Sequence, residues 1–108
     1  VSVTEQLYQT LLTRKSADPS SSYTAALFHK GLDAILKKIA EESGEVLLAA
    51  KNLQQAGNTS ALCYELADLH YHCLVLMAAS GVQPADLDKE LARRMGVSGL
   101  AEKAARST

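Results

Sequence analysis

The chain has 108 residues, 11 basic and 12 acidic side chains, a formal net charge of −1 and two cysteines. This length calls for a single domain, expected over residues 1–108. Near-neutrality excludes the global basic field that collects nucleic acid or acidic membranes, so neither is expected as a partner, and an anionic ligand must be held by local cations or by metal.

A first helix is predicted from about Val3 to Lys15, followed by a polar loop, Ser16 to Ser22, that contains Pro19. Ser22-Tyr23-Thr24 reads as a cap leading into a short helix from Ala25 to Lys30. A long helix is expected over Leu32 to Gln55, stopped by the turn signal Gly57-Asn58. Thr59 or Ser60 caps the next long helix, which runs to Ser80 and ends at Gly81. Pro84 is tolerated in a first helical turn and opens Ala85 to Met95; after a break at Gly96 to Gly99, Leu100 to Arg106 forms a last short helix. No segment shows sustained strand alternation. The fold class is therefore all-α: a small helical bundle whose two long central helices pack antiparallel through a short connection.

The longest apolar runs, such as Val46 to Ala50 and Leu74 to Ala79, are too short to span a bilayer. The stretch Val1 to Arg14 has no signal-peptide core, and a cytoplasmic location is expected. Cys63 and Cys73 lie about ten residues apart on one predicted helix, roughly 15 Å along its axis, too far for a disulfide. Both are expected to be small buried hydrophobes in a reducing compartment.

Two carboxylate clusters interrupt this apolar pattern: Glu41-Glu42-Ser43-Gly44-Glu45 and Glu65-Leu66-Ala67-Asp68. At ~100° per residue, Glu42 falls within the stripe formed by Ile35, Ile39, Val46 and Leu53, with Glu45, Glu41 and Lys38 on its flank. On the second long helix Glu65, Asp68 and His72 lie beside the stripe of Leu62, Leu69, Cys73 and Leu76. Each helix thus offers two acids at i and i+3, which share a face. If the seams pack together, four acids meet at one edge of the core. An unpaired buried carboxylate costs several kcal/mol or is neutralised by protonation, so the cluster calls for a counter-charge. Oxygen-only ligation by Glu42, Glu45, Glu65 and Asp68 favours Mg²⁺, with Mn²⁺ as the alternative. A di-iron site would want Glu-x-x-His pairs, which these helices lack.

At these residues the chain resembles the MazG-type all-α nucleoside-triphosphate pyrophosphohydrolases, whose metal motif Glu42-x-x-Glu45 and Glu65-x-x-Asp68 match, with Glu41 beside it. The flanking text is narrower. Ser22 to Phe28, Gly31 to Glu42, Ala49-Ala50-Lys51-Asn52 and Glu65 to His72 are similar to the phosphoribosyl-ATP pyrophosphatase family of histidine biosynthesis. The likeness runs from Ser22 to Gly81 and departs at Ser43-Gly44 and at His70.

The resemblance implies Mg²⁺-dependent hydrolysis of 1-(5-phosphoribosyl)-ATP to the AMP derivative and pyrophosphate. Metal on the four acids would bind the phosphates and orient an in-line water. Glu41 and Glu45 are the catalytic candidates, Glu41 as a water-orienting base or else a solvated helix residue. Lys38, Lys37, Lys51, Asn52, Tyr23 and His72 are the candidates for holding the nucleotide substrate; among the lysines, Lys37, Lys51 and also Lys30 are weaker ones that read equally as surface residues. His72 is equally open to a structural hydrogen bond, and Tyr23 to a packing role. Two rivals remain: a house-cleaning dNTP pyrophosphohydrolase with the same metal site, and a non-catalytic, metal-stabilised helical assembly domain. A homodimer is expected, because Leu47, Leu48, Leu74 and Val75 lie off the seams and make both long helices apolar on more than one side.

Overall fold

A computed structural model describes residues 2–96. Among them are six helices: α1 (Val3–Arg14), α2 (Tyr23–Lys30), α3 (Leu32–Lys51), α4 (Leu53–Ala56), α5 (Ser60–Ser80) and α6 (Pro84–Met95). The all-α class and the central antiparallel pair, α3 and α5, are as expected. The helix predicted over Leu100 to Arg106 lies outside the described residues.

Local chemistry sets most of the boundaries. Ser22 Oγ accepts from Ala25 N at 3.0 Å, so Ser22 is itself the cap and α2 begins at Tyr23, two residues earlier than predicted. Gly31, at φ 99°, then redirects the chain so that α3 follows α2 after a single residue. The long helix predicted to Gln55 ends instead at Lys51, and a separate single turn, α4, follows Asn52. Asparagine favours breaks because its side chain competes for backbone groups. The apolar spacing continues through Leu53 and hides the break. Asn58, rather than Thr59, supplies the side-chain oxygen at the start of α5, accepting from Ser60 N at 2.9 Å. A capping box between Gln83 and Asp86 starts α6, with Pro84 in its first turn.

The core gathers at one end of the central pair. Tyr8 and Leu11 of α1, Leu27 of α2, Ile35 of α3 and Leu74, Val75 and Ala78 of α5 are buried together. Lys15 reinforces this end by donating from Nζ to the Ala78 carbonyl at 3.0 Å, which satisfies an otherwise unpartnered acceptor in the last turn of α5. The opposite end is apolar and uncovered: Leu47 is 70 % exposed, Leu48 61 %, Tyr64 69 % and Leu66 47 %. Cys63 lies on this open end and is exposed, not buried as expected. Cys73 is half-buried, and burial pushes its thiol above the usual range. No helix among the described residues is long and apolar enough to cross a membrane.

Candidate active site

The antiparallel packing of α3 on α5 brings the two acid clusters together. Glu42, only 7 % exposed, places a carboxylate oxygen near Asp68 and His72, with one ligand atom of each residue within 4.8 Å of the others. Glu45 lies one turn further along α3 and Glu65 one turn back along α5, so the second pair repeats the first. The Glu65 carboxyl is raised above its ordinary 4.5 by partial desolvation and by the charges of Glu45, Asp68 and Glu42. All four expected acids are therefore within electrostatic reach of one another, with Glu42 buried, Asp68 and Glu65 half-buried and Glu45 exposed.

Part of the counter-charge is a lysine. Lys38 Nζ lies 3.4 Å from Glu41 Oε2 and 3.5 Å from Glu42 Oε1. Burial works against its charged form, but Tyr23, Glu41 and Glu42 outweigh that and raise it above the ordinary lysine value. Glu42 is thus not left unpaired, and the need for a metal as its sole counter-ion is relaxed. Glu41 is exposed and pairs with Lys38, and the group formed by Glu42, Asp68 and His72 does not include it. Lys30, Lys37, Lys51 and Asn52 are exposed and make no side-chain hydrogen bond or ion pair among the described residues, so the structure does not draw them to the acids.

Tyr23 and His72 are brought together. The Tyr23 hydroxyl lies 2.8 Å from His72 Nε2, and His72 Nδ1 lies 2.8 Å from the Asp68 carbonyl oxygen. A carbonyl only accepts, so Nδ1 carries a proton; in the neutral ring Nε2 then accepts from the tyrosine O–H. Tyr71 packs edge-on against His72 and shares a hydrogen bond with Thr24 at the entry of α2. The Tyr23 hydroxyl is raised by desolvation, with Lys38 opposing and Glu42, Asp68 and Tyr71 adding to the rise. Its proton is therefore retained at neutral pH and engaged in the bond to His72.

Beside this group a cavity of about 420 Å³ opens between α1, α2 and α5, lined among others by Leu7, Leu11, Arg14, Asp68, Tyr71 and His72. Arg14 is the residue that sequence reasoning missed. No local pattern marks it, because only the packing of α1 against α5 carries it to the cavity that Asp68 also lines.

Residues 4–95 match the family described as phosphoribosyl-ATP pyrophosphohydrolase. The chain belongs to this family. Phosphoribosyl-ATP pyrophosphatases of Burkholderia cenocepacia and Burkholderia multivorans are each 55 % identical to it over 94 residues, 87 % of this chain and 78 % of theirs. That of Burkholderia mallei is 56 % identical over 94 residues, 87 % of this chain and 77 % of its own length. As a phosphoribosyl-ATP pyrophosphohydrolase by family, the chain is an enzyme that hydrolyses a phosphoanhydride bond, and the matched span includes every candidate residue named above.

The donor set fits a hard divalent cation. Carboxylates from Glu42 and Asp68 face each other, and Glu45 and Glu65 adjoin them, which is oxygen chemistry suited to such an ion. His72 fits less well, because both ring nitrogens already hold hydrogen bonds. Ligation through Nε2 requires Tyr23 to let go.

Proposed function

We propose that the chain hydrolyses 1-(5-phosphoribosyl)-ATP to 1-(5-phosphoribosyl)-AMP and pyrophosphate, an early step of L-histidine biosynthesis, as a cytoplasmic, Mg²⁺-dependent homodimer of single-domain subunits spanning residues 1–108. The observation that carries this reading is the paired acid cluster on α3 and α5, in a chain 55 % identical to phosphoribosyl-ATP pyrophosphatases.

Glu42, Glu45, Glu65 and Asp68 would hold the cation, with Mn²⁺ as a substitute for Mg²⁺. When bound, the ion supplies the positive charge that a triphosphate needs and activates water toward attack. Glu45, the exposed member of the four, would orient that water and accept its proton. Glu41 keeps Lys38 in position, and Lys38 is free to turn to a phosphate oxygen once Glu42 has another counter-charge. His72 fixes the Tyr23 hydroxyl at the rim, where its oxygen can accept from a substrate hydroxyl and the ring can limit the access of bulk water. Lys37, Lys51 and Asn52, all exposed, serve the substrate only if it reaches beyond the acids.

Two observations support the dimer. The open end of the central pair leaves Leu47, Leu48, Tyr64 and Leu66 in water. The radius of gyration is 16.6 Å, against about 13 Å for a compact chain of this length. Such a shape gains buried area from a second copy.

The decisive experiment measures pyrophosphate release from phosphoribosyl-ATP and from the dNTPs, with Mg²⁺ and with a chelator. The expected result is pyrophosphate from phosphoribosyl-ATP, at least about a hundredfold preference over any dNTP, and loss of turnover on chelation. Preference for a dNTP would establish the house-cleaning rival. Absence of turnover on every substrate would leave the assembly domain.

A further inference from the structure

The cavity between α1, α2 and α5 joins two unlike walls. One is the acid cluster, through Asp68 and His72; another contains Arg14. Arg14 is half-buried in the last turn of α1 and makes no ion pair or side-chain hydrogen bond among the described residues. Its neighbours in charge are differently placed: Lys38 is held by Glu41 and Glu42, and Lys15 donates to the Ala78 carbonyl. A guanidinium partly withdrawn from water without an acceptor has lost hydration and gained nothing in exchange. Set in a cavity of about 420 Å³, within the usual range for small-molecule sites, it is a group suited to an anion. Its planar fork matches a phosphate better than an ammonium would.

We propose that Arg14 binds the 5-phosphate on the phosphoribosyl arm of the substrate and so distinguishes that substrate from ordinary nucleoside triphosphates. This rests on the substrate reading above. Phosphoribosyl-ATP carries two separate anionic ends, a triphosphate and a monophosphate ester on its second ribose. The triphosphate belongs with the cation held by the carboxylates. The monophosphate lies away from that cation and requires a positive group from the protein. Among the described residues Arg14 is the one permanent cation lining the cavity that Asp68 also lines. Leu7, Leu11 and Tyr71 share its walls, giving apolar and aromatic surface for sugar and base. The pocket thus offers each part of the molecule a matching surface, with its two charged ends on opposite-signed walls.

The test compares phosphoribosyl-ATP with 1-ribosyl-ATP, from which that one phosphate has been removed, in wild type, Arg14→Ala and Arg14→Lys. The expected wild-type preference for the full substrate is roughly ten- to hundredfold in kcat/KM, carried mainly by KM. Arg14→Ala should lose this preference by falling on phosphoribosyl-ATP while keeping wild-type kcat/KM on 1-ribosyl-ATP. Arg14→Lys should keep part of it, because charge is retained without the fork. Equal losses on both substrates would overturn the proposal and place Arg14 with the triphosphate or the fold; unchanged kinetics on both would overturn it too. A wild type that hydrolyses neither compound would instead overturn the substrate reading itself, and this inference with it.

Discussion

The two ends of the α3–α5 pair are similar in composition and opposite in surroundings. At one end Ile35, Leu74, Val75 and Ala78 are sealed by Tyr8 and Leu11 from α1 and by Leu27 from α2. At the other, Leu47, Leu48, Tyr64 and Leu66 are equally apolar and stand in water. What differs is the supply of covering elements, since α1 and α2 pack over the sealed end. The acids sit at the boundary, with Glu42 on the buried side and Glu45 on the exposed side. A boundary suits phosphate chemistry: the sealed side strengthens electrostatic interactions, and the open side admits a charged nucleotide.

The largest expected effect lies at that boundary. Glu42→Gln and Asp68→Asn should each lower kcat by at least about a hundredfold, on the scale of losing one charge-stabilising group. Helix content should be unchanged by circular dichroism. Tm should hold or rise for Asp68→Asn, because removing one of several like charges relieves repulsion in the metal-free protein; Glu42→Gln gives up its contact with Lys38 as well and should gain less. Near-wild-type turnover in either variant would remove the boundary from the mechanism.

The next effect separates the two ends directly. Leu74→Ala, at a residue 1 % exposed, should cost about 3 kcal/mol in denaturant unfolding, whatever the protein concentration. Leu47→Ala should cost under about 0.5 kcal/mol where the protein is dilute enough to be monomeric. At micromolar concentration it should shift sedimentation from dimer toward monomer. Equal costs at both ends in dilute protein, or wild-type sedimentation as monomer alone, would erase the distinction.

A smaller effect couples the boundary to metal and pH. At a hundredfold excess over its dissociation constant, Mg²⁺ should stabilise the fold by roughly 2.7 kcal/mol. The Glu65 carboxyl is raised in the folded state by partial burial and by its acidic neighbours. Such a group contributes stability that is complete below its ordinary 4.5 and lost as pH rises through the folded value. The metal-free protein is therefore penalised at pH 8, where a cation relieves the repulsion, and less so near pH 4.5, the ordinary value of that carboxyl. The rise in Tm with Mg²⁺ should accordingly be larger at pH 8. Melting curves unmoved by millimolar Mg²⁺ at both pH values would count against a preformed carboxylate cage.

The acid cluster was legible in the sequence because helical periodicity carries all of it. Glu42 and Glu45 repeat at i, i+3 on one helix, Glu65 and Asp68 on the next, and an antiparallel hairpin sets the two pairs against each other. Lys38 was legible as a flank residue for the same reason, though not its grip on both Glu41 and Glu42. The hydrogen bond between Tyr23 and His72 spans 49 positions in the chain, and no local spacing encodes it; each residue was a candidate separately, the pairing was not. Arg14 depends on how α1 lies across α5, which apolar patterning leaves undetermined. The break at Asn52 was missed because Leu53 keeps the apolar rhythm while the backbone does not. Cys63 was misplaced because its helix face is apolar, and apolarity does not say whether a neighbour will cover it.

Asp68 has two attachments of different kinds. Its carboxylate turns toward Glu42, while its carbonyl oxygen accepts from His72 Nδ1, which in turn seats the Tyr23 hydroxyl. The second attachment belongs to the main chain and survives any change of side chain at that position. Asp68→Asn therefore silences the carboxylate while leaving the tyrosine, the imidazole and the adjoining cavity wall where they are. An inactivated enzyme with an intact cradle is a trap, and this one would let the uncleaved nucleotide be caught in place and photographed by crystallography.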